Sequence, residues 1–300
     1  MRKILNSLLL AAFIAVILLI SRWVGQQAYS WMPVQGTAEA KQVDEIFSFL
    51  ASIGTFVFLG LTGIIVYSMI TCRAPKGDWS HGHPARGSAK VEMLWIVIPT
   101  ILVLWISFKN LSIYQQLNIQ GLPPVVMHMH MVDPADAATV SNDGKPVGEV
   151  IDVFAKQWVW SFRYPGNVTS TELHLPVNQP VSLALHAQDV LHGFYVPEFR
   201  LKQDMLPGRT ITLTLTPERV GKYRLHDSQF SGTYFAVMEA NVYVESRQAY
   251  SQWLAQAATL EPTIASNQAV TEHTQPTQKI LNSGWQTVQP AEPSVVNYSS

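Results

Sequence analysis

Residues 46–72 have the sequence IFSFLASIGTFVFLGLTGIIVYSMITC and contain no charged residue. At a rise of about 1.5 Å per residue, a helix of this length crosses the roughly 30 Å hydrocarbon core of a bilayer. Residues 93–108 form a second apolar segment, which extends to Tyr114 if the Lys109 amine reaches the membrane surface. We therefore predict a transmembrane helical hairpin over residues 46–114.

The composition of the whole chain agrees with a membrane protein. Hydrophobic residues make up 48% of the chain and charged residues 14%, a balance that is unusual for a purely soluble protein. The formal net charge of −1 argues against nucleic acid as a partner. The lipid bilayer is thus a predicted partner, and nucleic acid is not.

The N-terminal segment has the features of an export signal. Residues 5–20 are apolar and follow Arg2 and Lys3. This order predicts a signal peptide or a signal anchor over residues 1–24, followed by an exported linker over residues 25–45. The sequence leaves open whether the segment is cleaved.

The loop between the two predicted spans determines the topology. Its charges are mostly basic, and short basic loops stay in the cytoplasm. We therefore predict a multi-pass protein of a bacterial cell membrane, with everything after Tyr114, including the C-terminus, on the periplasmic side. The basic residues are Arg73, Lys76, Arg86 and Lys90, against the acid Asp78.

Beyond residue 123 the chain changes to short runs of β-branched and aromatic residues separated by Pro, Gly and Asn. Residues 211–216 alternate apolar residues with threonine, the pattern of a half-buried strand. We predict an antiparallel β-sandwich within residues 123–247. Residues 248–300 are polar and lack periodicity, which predicts a disordered tail. Further strand-like runs lie at residues 150–162, 180–186 and 236–244.

Four motifs occur in a fixed order along the chain: VEMLWIVIP at 91–99, KQWVWSF at 156–162, DVLHGF at 189–194 and RLKQDMLPGR at 200–209. They resemble, in that order, motifs of subunit II of the heme–copper terminal oxidases, the cytochrome c oxidase subunit II family. The similarity extends over roughly residues 40–245. It implies a cupredoxin-like sandwich outside the membrane and a place in a respiratory complex that reduces oxygen to water.

The loop at residues 225–238, LHDSQFSGTYFAVM, resembles the family's second copper loop without its ligands. Copper-bearing members have Cys-x-Glu-x-Cys-x-x-x-His-x-x-Met here, which builds a binuclear copper centre with an upstream His. Gly232 and Met238 fix the register, and of the ligands only His192 and Met238 remain. The first Cys, the Glu, the second Cys and the His are replaced by Asp227, Gln229, Ser231 and Phe235.

The cysteine count leads to the same expectation without an alignment. The chain has one cysteine, Cys72, at the cytoplasmic end of a predicted span. A thiolate copper site in the exported domain is therefore excluded, and with it an ordinary copper-bearing cytochrome c oxidase subunit. Loss of copper is the mark of the family's quinol-oxidising branch. The resemblance thus implies a non-redox subunit without a cofactor, next to a subunit I that holds hemes and copper and receives electrons from membrane quinol, with subunit III as a further partner.

The resemblance also assigns roles to single residues. In the family, the exposed Trp that corresponds to Trp158 lies where electrons enter the copper site, but without copper we expect it to serve in packing. Glu92 corresponds to a Glu at the mouth of a proton-uptake pathway into subunit I, although a carboxylate that favours a helix N-terminus is the alternative. Gln229 is a poorer ligand than the family's Glu for magnesium, so no magnesium site is expected.

Charged residues in the turn after the first copper loop complete the candidate set. The resemblance implies contacts with subunit I, including contacts near heme propionates, and solvated surface charge is the alternative. These residues are Arg200, Lys202, Asp204 and Arg209.

A function of a different class stays open, a free-standing membrane-anchored protein that binds or delivers copper through His and Met. His192, His226, Asp227 and Met238 could form a mixed set, although a His next to an Asp is more often a hydrogen-bonded pair. Residues 127–131, Met-His-Met-His-Met, would place both histidines on one face of a strand. A packed first strand is the competing interpretation, and the motif around Glu92 favours the oxidase subunit because a simple anchor does not need it.

Overall fold

The computed structural model describes residues 2–73, 77, 87–116, 148–274 and 288–299. The chain divides into two compact units. The first consists of Met1–Pro33 and Gln42–Ser112, and the second of Val34–Lys41 and Ile113–Ser300. The expected order, apolar helices followed by a β-sandwich, is confirmed.

The first unit is helical, and both predicted spans fall on helices. Within the described residues, three helices are long and apolar enough to cross a membrane. The helices extend into both ends of the predicted linker over residues 25–45, because one helix continues through Ala28 and the next begins at Ala38. There the Thr37 hydroxyl accepts a hydrogen bond from the Ala40 N–H at 3.2 Å and caps the new helix. The helices are α1 Arg2–Ala28, α2 Ala38–Thr71 and α3 Ala89–Gln116.

Helices α1 and α2 are in close contact within this unit. The Ser48 hydroxyl of α2 donates a hydrogen bond to the Gly25 carbonyl of α1 at 2.7 Å. A side chain at residue 25 would overlap the Ser52 hydroxyl, and the Phe13 ring packs directly on Gly63. Small residues at such crossings let two membrane helices approach closely. Helix α1 is therefore fitted to α2 at specific positions.

The second unit is a sandwich of two five-stranded sheets. The first sheet has the order β3-β2-β1-β5-β8 and the second β4-β10-β9-β6-β7. The apolar run at residues 150–162 divides into two strands of a hairpin at Gln157 and Trp158. The strands are β1 Glu149–Lys156, β2 Val159–Arg163, β3 Thr169–Ser170, β4 Leu173–Pro176, β5 Val181–Ala187, β6 His192–Val196, β7 Leu201–Met205, β8 Thr210–Leu215, β9 Gly221–Asp227 and β10 Glu239–Glu245.

Strand pairing is mixed, whereas an antiparallel sandwich is predicted. β1 runs parallel to β5, and β4 runs parallel to β10, while the remaining pairs in these two sheets are antiparallel. Side chains of β8 alternate between buried and partly exposed, as the alternating sequence predicts. The core between the sheets is apolar and includes Trp160, Phe162, Leu183, Phe194 and Ile211.

The prediction of a disordered tail from residue 248 is wrong for the parts that the structure describes. Helix α4, Arg247–Ala257, is capped by the Ser246 hydroxyl and buries Tyr250, Trp253 and Ala257. These residues recur every three or four positions, so they form one apolar face that the polar composition conceals. The chain then forms β11 Thr263–Ile264, α5 Gln268–Thr274 and β12 Val295–Val296, with β11 antiparallel to β12.

Candidate functional site

The site lies where β6 begins and β9 ends, at one end of the second sheet. Register places Phe194 opposite Asp227, which brings His192 next to that carboxylate. The His192 Nδ1 donates a hydrogen bond to Asp227 Oδ2 at 2.7 Å, and both side chains are fully buried. The two motifs that the sequence suggested thus meet in one place.

Asp227 is the centre of this hydrogen-bond network. Besides His192, its Oδ2 accepts a bond from the Ser231 hydroxyl at 2.7 Å. Its Oδ1 accepts bonds from the backbone N–H of Gly193 at 2.7 Å and of Gln229 at 3.1 Å. The carboxylate therefore ties β6 to the loop after β9, and its charge is well solvated by donors.

His192 is held between two carboxylates. Its Nε2 donates to Asp189 Oδ1 at 2.8 Å, so both ring nitrogens act as donors and the ring is an imidazolium. Burial alone would lower the pKa of His192, but the hydrogen bonds and negative charges of Asp189 and Asp227 outweigh burial and raise the pKa to about 9. At neutral pH His192 is protonated.

Asp189 is the second anchor of the histidine. Its carboxylate also accepts bonds from the backbone N–H of Gln157 at 2.6 Å and of Val190 at 2.7 Å. Burial would raise the pKa of Asp189, but the bonds from His192, Gln157 and Val190 lower the pKa below its usual value. Sequence reasoning assigned Asp189 no role, although the Asp-x-x-His spacing of residues 189 and 192 carried a signal.

The loop after β9 packs under an aromatic side chain. Gly232 has φ of 120°, and a Cβ at this position would lie 2.8 Å from the Trp158 ring. The Trp158 indole N–H donates to the Ser231 carbonyl at 3.2 Å, and the Tyr234 ring meets Trp158 edge-on at 5.1 Å. Trp158 is only 2% exposed, so its side chain packs in the interior of the sandwich.

The remaining loop positions also have partners. The Gln229 amide donates to Asp204 Oδ1 at 2.7 Å, so β7 reaches the site through Asp204. Phe235 lies in a short 3₁₀ helix and contacts the Phe230 ring at 4.9 Å. Phe230 is 79% exposed at the tip of the loop. Of the four turn residues from the sequence, the structure brings Asp204 into the network.

The other candidates lie elsewhere. The Arg200 guanidinium donates to the Pro197 carbonyl at 2.8 Å, while the side chains of Lys202 and Arg209 are exposed. Glu92 is in the first turn of α3, as both interpretations of this residue require.

The mixed metal set does not assemble. His226 points away from Asp227, since neighbouring strand residues face opposite sides, and its Nδ1 lies 3.0 Å from Glu239 Oε1. Met238 is buried, and its carbonyl accepts bonds from the Trp160 indole and the Asp227 N–H. Within the described ranges, no group of three or more His, Cys, Asp and Glu is placed to hold a metal ion. The Met-His run at residues 127–131 lies outside those ranges.

Comparisons with known proteins identify the family. The family models "Cytochrome C oxidase subunit II, transmembrane domain" and "Cytochrome C oxidase subunit II, periplasmic domain" match residues 8–113 and 167–245. Cytochrome c oxidase subunit 2 of Synechocystis sp. is 33% identical over 84% of this chain and 83% of its own length.

Other relatives are more distant. Quinol oxidase subunit 2 of Bacillus spizizenii is 23% identical over 84% of this chain and 73% of its own length. The periplasmic domain of subunit II of cytochrome oxidase (CoxB) of Bradyrhizobium japonicum is 24% identical, with a TM-score of 0.35 over 37% of this chain and 94% of that domain. On the similarity to the Synechocystis subunit and the match to the family models, the chain belongs to the subunit II family of the heme–copper terminal oxidases.

Proposed function

We propose that the chain is a non-redox subunit II of a respiratory terminal oxidase that takes its electrons from membrane quinol, with oxygen reduced to water in subunit I. One observation carries the proposal. Where copper-bearing members have two thiolates, this chain has Asp227 and Ser231, and these two side chains are hydrogen-bonded to each other and, through Asp227, to His192. Similarity to a quinol oxidase subunit 2 supports the same assignment.

The donor set does not fit a binuclear copper centre. Bridging two copper ions requires soft thiolate sulfur, and the only cysteine of the chain is Cys72, in the helical unit. A histidine binds a metal through an unprotonated nitrogen, but both nitrogens of His192 donate to carboxylates. The network therefore uses the inherited histidine for structure.

Magnesium is not proposed for this subunit either. The Gln229 side chain points its NH₂ group at Asp204, and an amide nitrogen is no ligand for this hard cation. We propose that the hemes and copper of the complex are all in subunit I, and that this subunit contributes no cofactor.

The proposed work of the subunit is structural, with a contribution to proton uptake. We place Glu92, in the first turn of α3, at the cytoplasmic entrance of a proton pathway into subunit I. The sandwich covers the outer face of subunit I, and subunit III completes the complex. The free-standing copper-delivery protein is less favoured, since the chain belongs to the oxidase family and His192 is engaged.

We also propose that α1 is retained as a third membrane span. The Ser48 to Gly25 hydrogen bond and the contact of Phe13 with Gly63 fit α1 to α2, and a cleaved signal peptide would have no use for such a crossing. N-terminal sequencing of the purified subunit tests this, and a mature N-terminus after residue 24 would contradict it.

The proposed function is tested on the complex purified through a tag on this chain. We expect oxygen uptake with quinol but not with reduced cytochrome c, and no copper beyond that of subunit I. Matched variants His226→Ala and Met238→Leu remove the two members of the mixed set that lie outside the His192 network, and we expect their copper content to equal that of the wild type. Turnover with cytochrome c, or extra copper that these variants lose, would overturn the proposal.

A further inference from the structure

The aromatic side chains of Trp158 and Tyr234 pack together beside the candidate site. Trp158 bonds to the Ser231 carbonyl, and Ser231 in turn bonds to Asp227. The Tyr234 ring contacts the Trp158 ring edge-on at 5.1 Å. Trp158 is almost completely buried, and Ala269 near the C-terminus belongs to the same buried cluster.

The cover comes from the C-terminal segment, residues 258–274 and 288–299, which we call the cap. The Tyr234 hydroxyl and His273 Nδ1 of α5 are 3.2 Å apart, in hydrogen-bond contact. The Gln157 carbonyl accepts a hydrogen bond from the Ala291 N–H at 2.6 Å. The first part of the cap, residues 258–274, therefore contacts Tyr234, and the second part, residues 288–299, contacts Gln157 in the turn between β1 and β2.

The cap has a packed structure of its own. Ala265 and Ala269 are buried, and Asn267 donates to the Ala291 carbonyl at 3.4 Å, which joins the two parts. The ladder between β11 and β12 joins them a second time, together with the bond from the Ala265 N–H to the Ser294 carbonyl at 2.9 Å. Such burial and pairing are typical of a fixed element rather than of a fraying terminus.

The cap is also fastened to the edge of the first sheet. The Thr169 carbonyl accepts bonds from the Asn297 and Tyr298 N–H groups at 3.0 and 3.1 Å, and Asn297 Oδ1 accepts bonds from the Thr169 N–H and hydroxyl. The Tyr298 ring meets Trp253 of α4 edge-on at 5.7 Å. Detaching the cap therefore breaks contacts far from Trp158.

We propose that the cap is the permanent intramolecular occupant of the face over Trp158, and that it excludes a soluble electron-carrier protein from docking there. A specific protein interface needs about 800 Å² on each partner, and a carrier must bring its cofactor close to the site. Here the cap already lies on this face, because its residues 266–268 line, together with Trp158, a cavity of about 300 Å³. The meaning of this exclusion for electron transfer rests on the proposed function, because a subunit without copper has no use for a soluble donor.

The first experiment is hydroxyl-radical footprinting of the purified complex with mass-spectrometric readout at single residues. In the wild type we expect Trp158 to oxidise as slowly as the buried core residue Met205. Deleting residues 261–300 is expected to raise the oxidation rate of Trp158 several-fold and to leave Met205 unchanged. Rapid oxidation of Trp158 in the wild type, or continued protection after the deletion, would overturn the proposal.

Two point variants of the full-length chain test the same proposal in case the shortened chain misfolds. His273→Ala removes the contact with Tyr234, whereas Glu272→Ala changes the neighbouring residue, whose carboxylate accepts a hydrogen bond from Gln268 in the same helix. We expect His273→Ala to raise the oxidation of Trp158 and Tyr234, and Glu272→Ala to have no effect. Equal behaviour of the two variants would count against the cap.

Exclusion is tested by adding a soluble c-type cytochrome to the full-length complex. We expect the oxidation rates of cap residues, Trp158 and Tyr234 to stay the same. Protection of these residues by the cytochrome would mean docking on this face and would overturn the exclusion. Quinol-driven oxygen uptake is measured in the same samples, and its absence would speak against the proposed function whatever Trp158 does.

Discussion

His192 in β6 and His174 in β4 are both buried in the sandwich, and they are held in different ways. His192 has a carboxylate on each ring nitrogen, at 2.7 and 2.8 Å. His174 lies between the rings of Tyr243 and Trp253, at 4.9 and 3.8 Å, and its Nδ1 bonds to Glu245 at 2.9 Å. Its Nε2 makes no hydrogen bond within the part of the chain that the structure describes. Charge dominates at the first histidine and the shape of the ring stack at the second, where Glu172 Oε2 lies beyond hydrogen-bond distance, at 3.7 Å from Nε2.

Asp227→Ala tests the charged contacts of His192 and has the largest expected effect. The substitution leaves the His192 imidazolium without one carboxylate and removes the acceptor of three further donors, so we expect the opening free energy of this region to fall by about 3–5 kcal/mol. Hydrogen exchange of the β6 and β9 amides in the complex measures it. Asp152→Ala is the control, because Asp152 pairs with Arg163 and His186 near the surface and should cost about 1 kcal/mol or less.

Replacing each histidine by phenylalanine compares the two directly. His192→Phe leaves two carboxylates without their cation, and we expect a loss of more than about 3 kcal/mol. His174→Phe keeps the ring stack but loses the bond to the partly exposed Glu245 and the 3.7 Å contact with Glu172. Glu172 keeps its hydrogen bonds from Asn241 and Tyr243, so we expect a change within about 1 kcal/mol. The same exchange experiment reports both values, and similar losses would mean that the distinction between charge and shape is wrong.

The pH dependence of stability tests how much the protonated His192 contributes. Its pKa is raised to about 9, so its contribution is complete below the unfolded value near 6.5 and is lost as the pH rises through 9. The loss is on the order of 3 kcal/mol. Opening free energies of residues 228–235, corrected for intrinsic exchange, should fall over this range. Asp189→Asn should move the fall to lower pH, and an unchanged profile would show that Asp189 does not hold the proton.

The smallest expected effect comes from Gln229→Glu, which adds a carboxylate beside Asp204. We expect a loss below about 1 kcal/mol, because the pair is partly exposed and screened by salt. Magnesium in the buffer should reduce the loss if the two carboxylates can share the ion. The same measurement on Gln229→Met separates repulsion from loss of the hydrogen bond, since only the Glu variant should respond to the ion.

Sequence reasoning succeeded where the pattern is local. Uncharged runs identified the membrane helices, and alternation along residues 211–216 identified β8. It failed where pairing depends on distant residues, as in the parallel pairs β1 with β5 and β4 with β10. The cap and α4 were missed because few apolar residues, such as Trp253 and Ala269, are enough to bury them.

The sequence predicted residues of the candidate site, but it did not predict the hydrogen bonds between them. The order of motifs suggested that His192 and Asp227 belong together. Their bond depends on the register that pairs Phe194 with Asp227 across β6 and β9. The second carboxylate, Asp189, reaches the histidine because the loop before β6 bends back, and the Asp-x-x-His spacing alone does not specify that bend.

The position of Asp227 as a shared acceptor also limits how this loop can evolve. Changing Asp227 alone to cysteine removes the partner of His192 and of the Ser231 hydroxyl, whereas changing Ser231 alone adds one thiol beside a carboxylate. Neither single step yields a bridging pair of sulfur ligands, and the first leaves a buried cation with one partner fewer. We therefore expect each single substitution toward a thiolate site to lower the stability of the domain. The free energies of unfolding of the two single variants and the double variant would measure that loss.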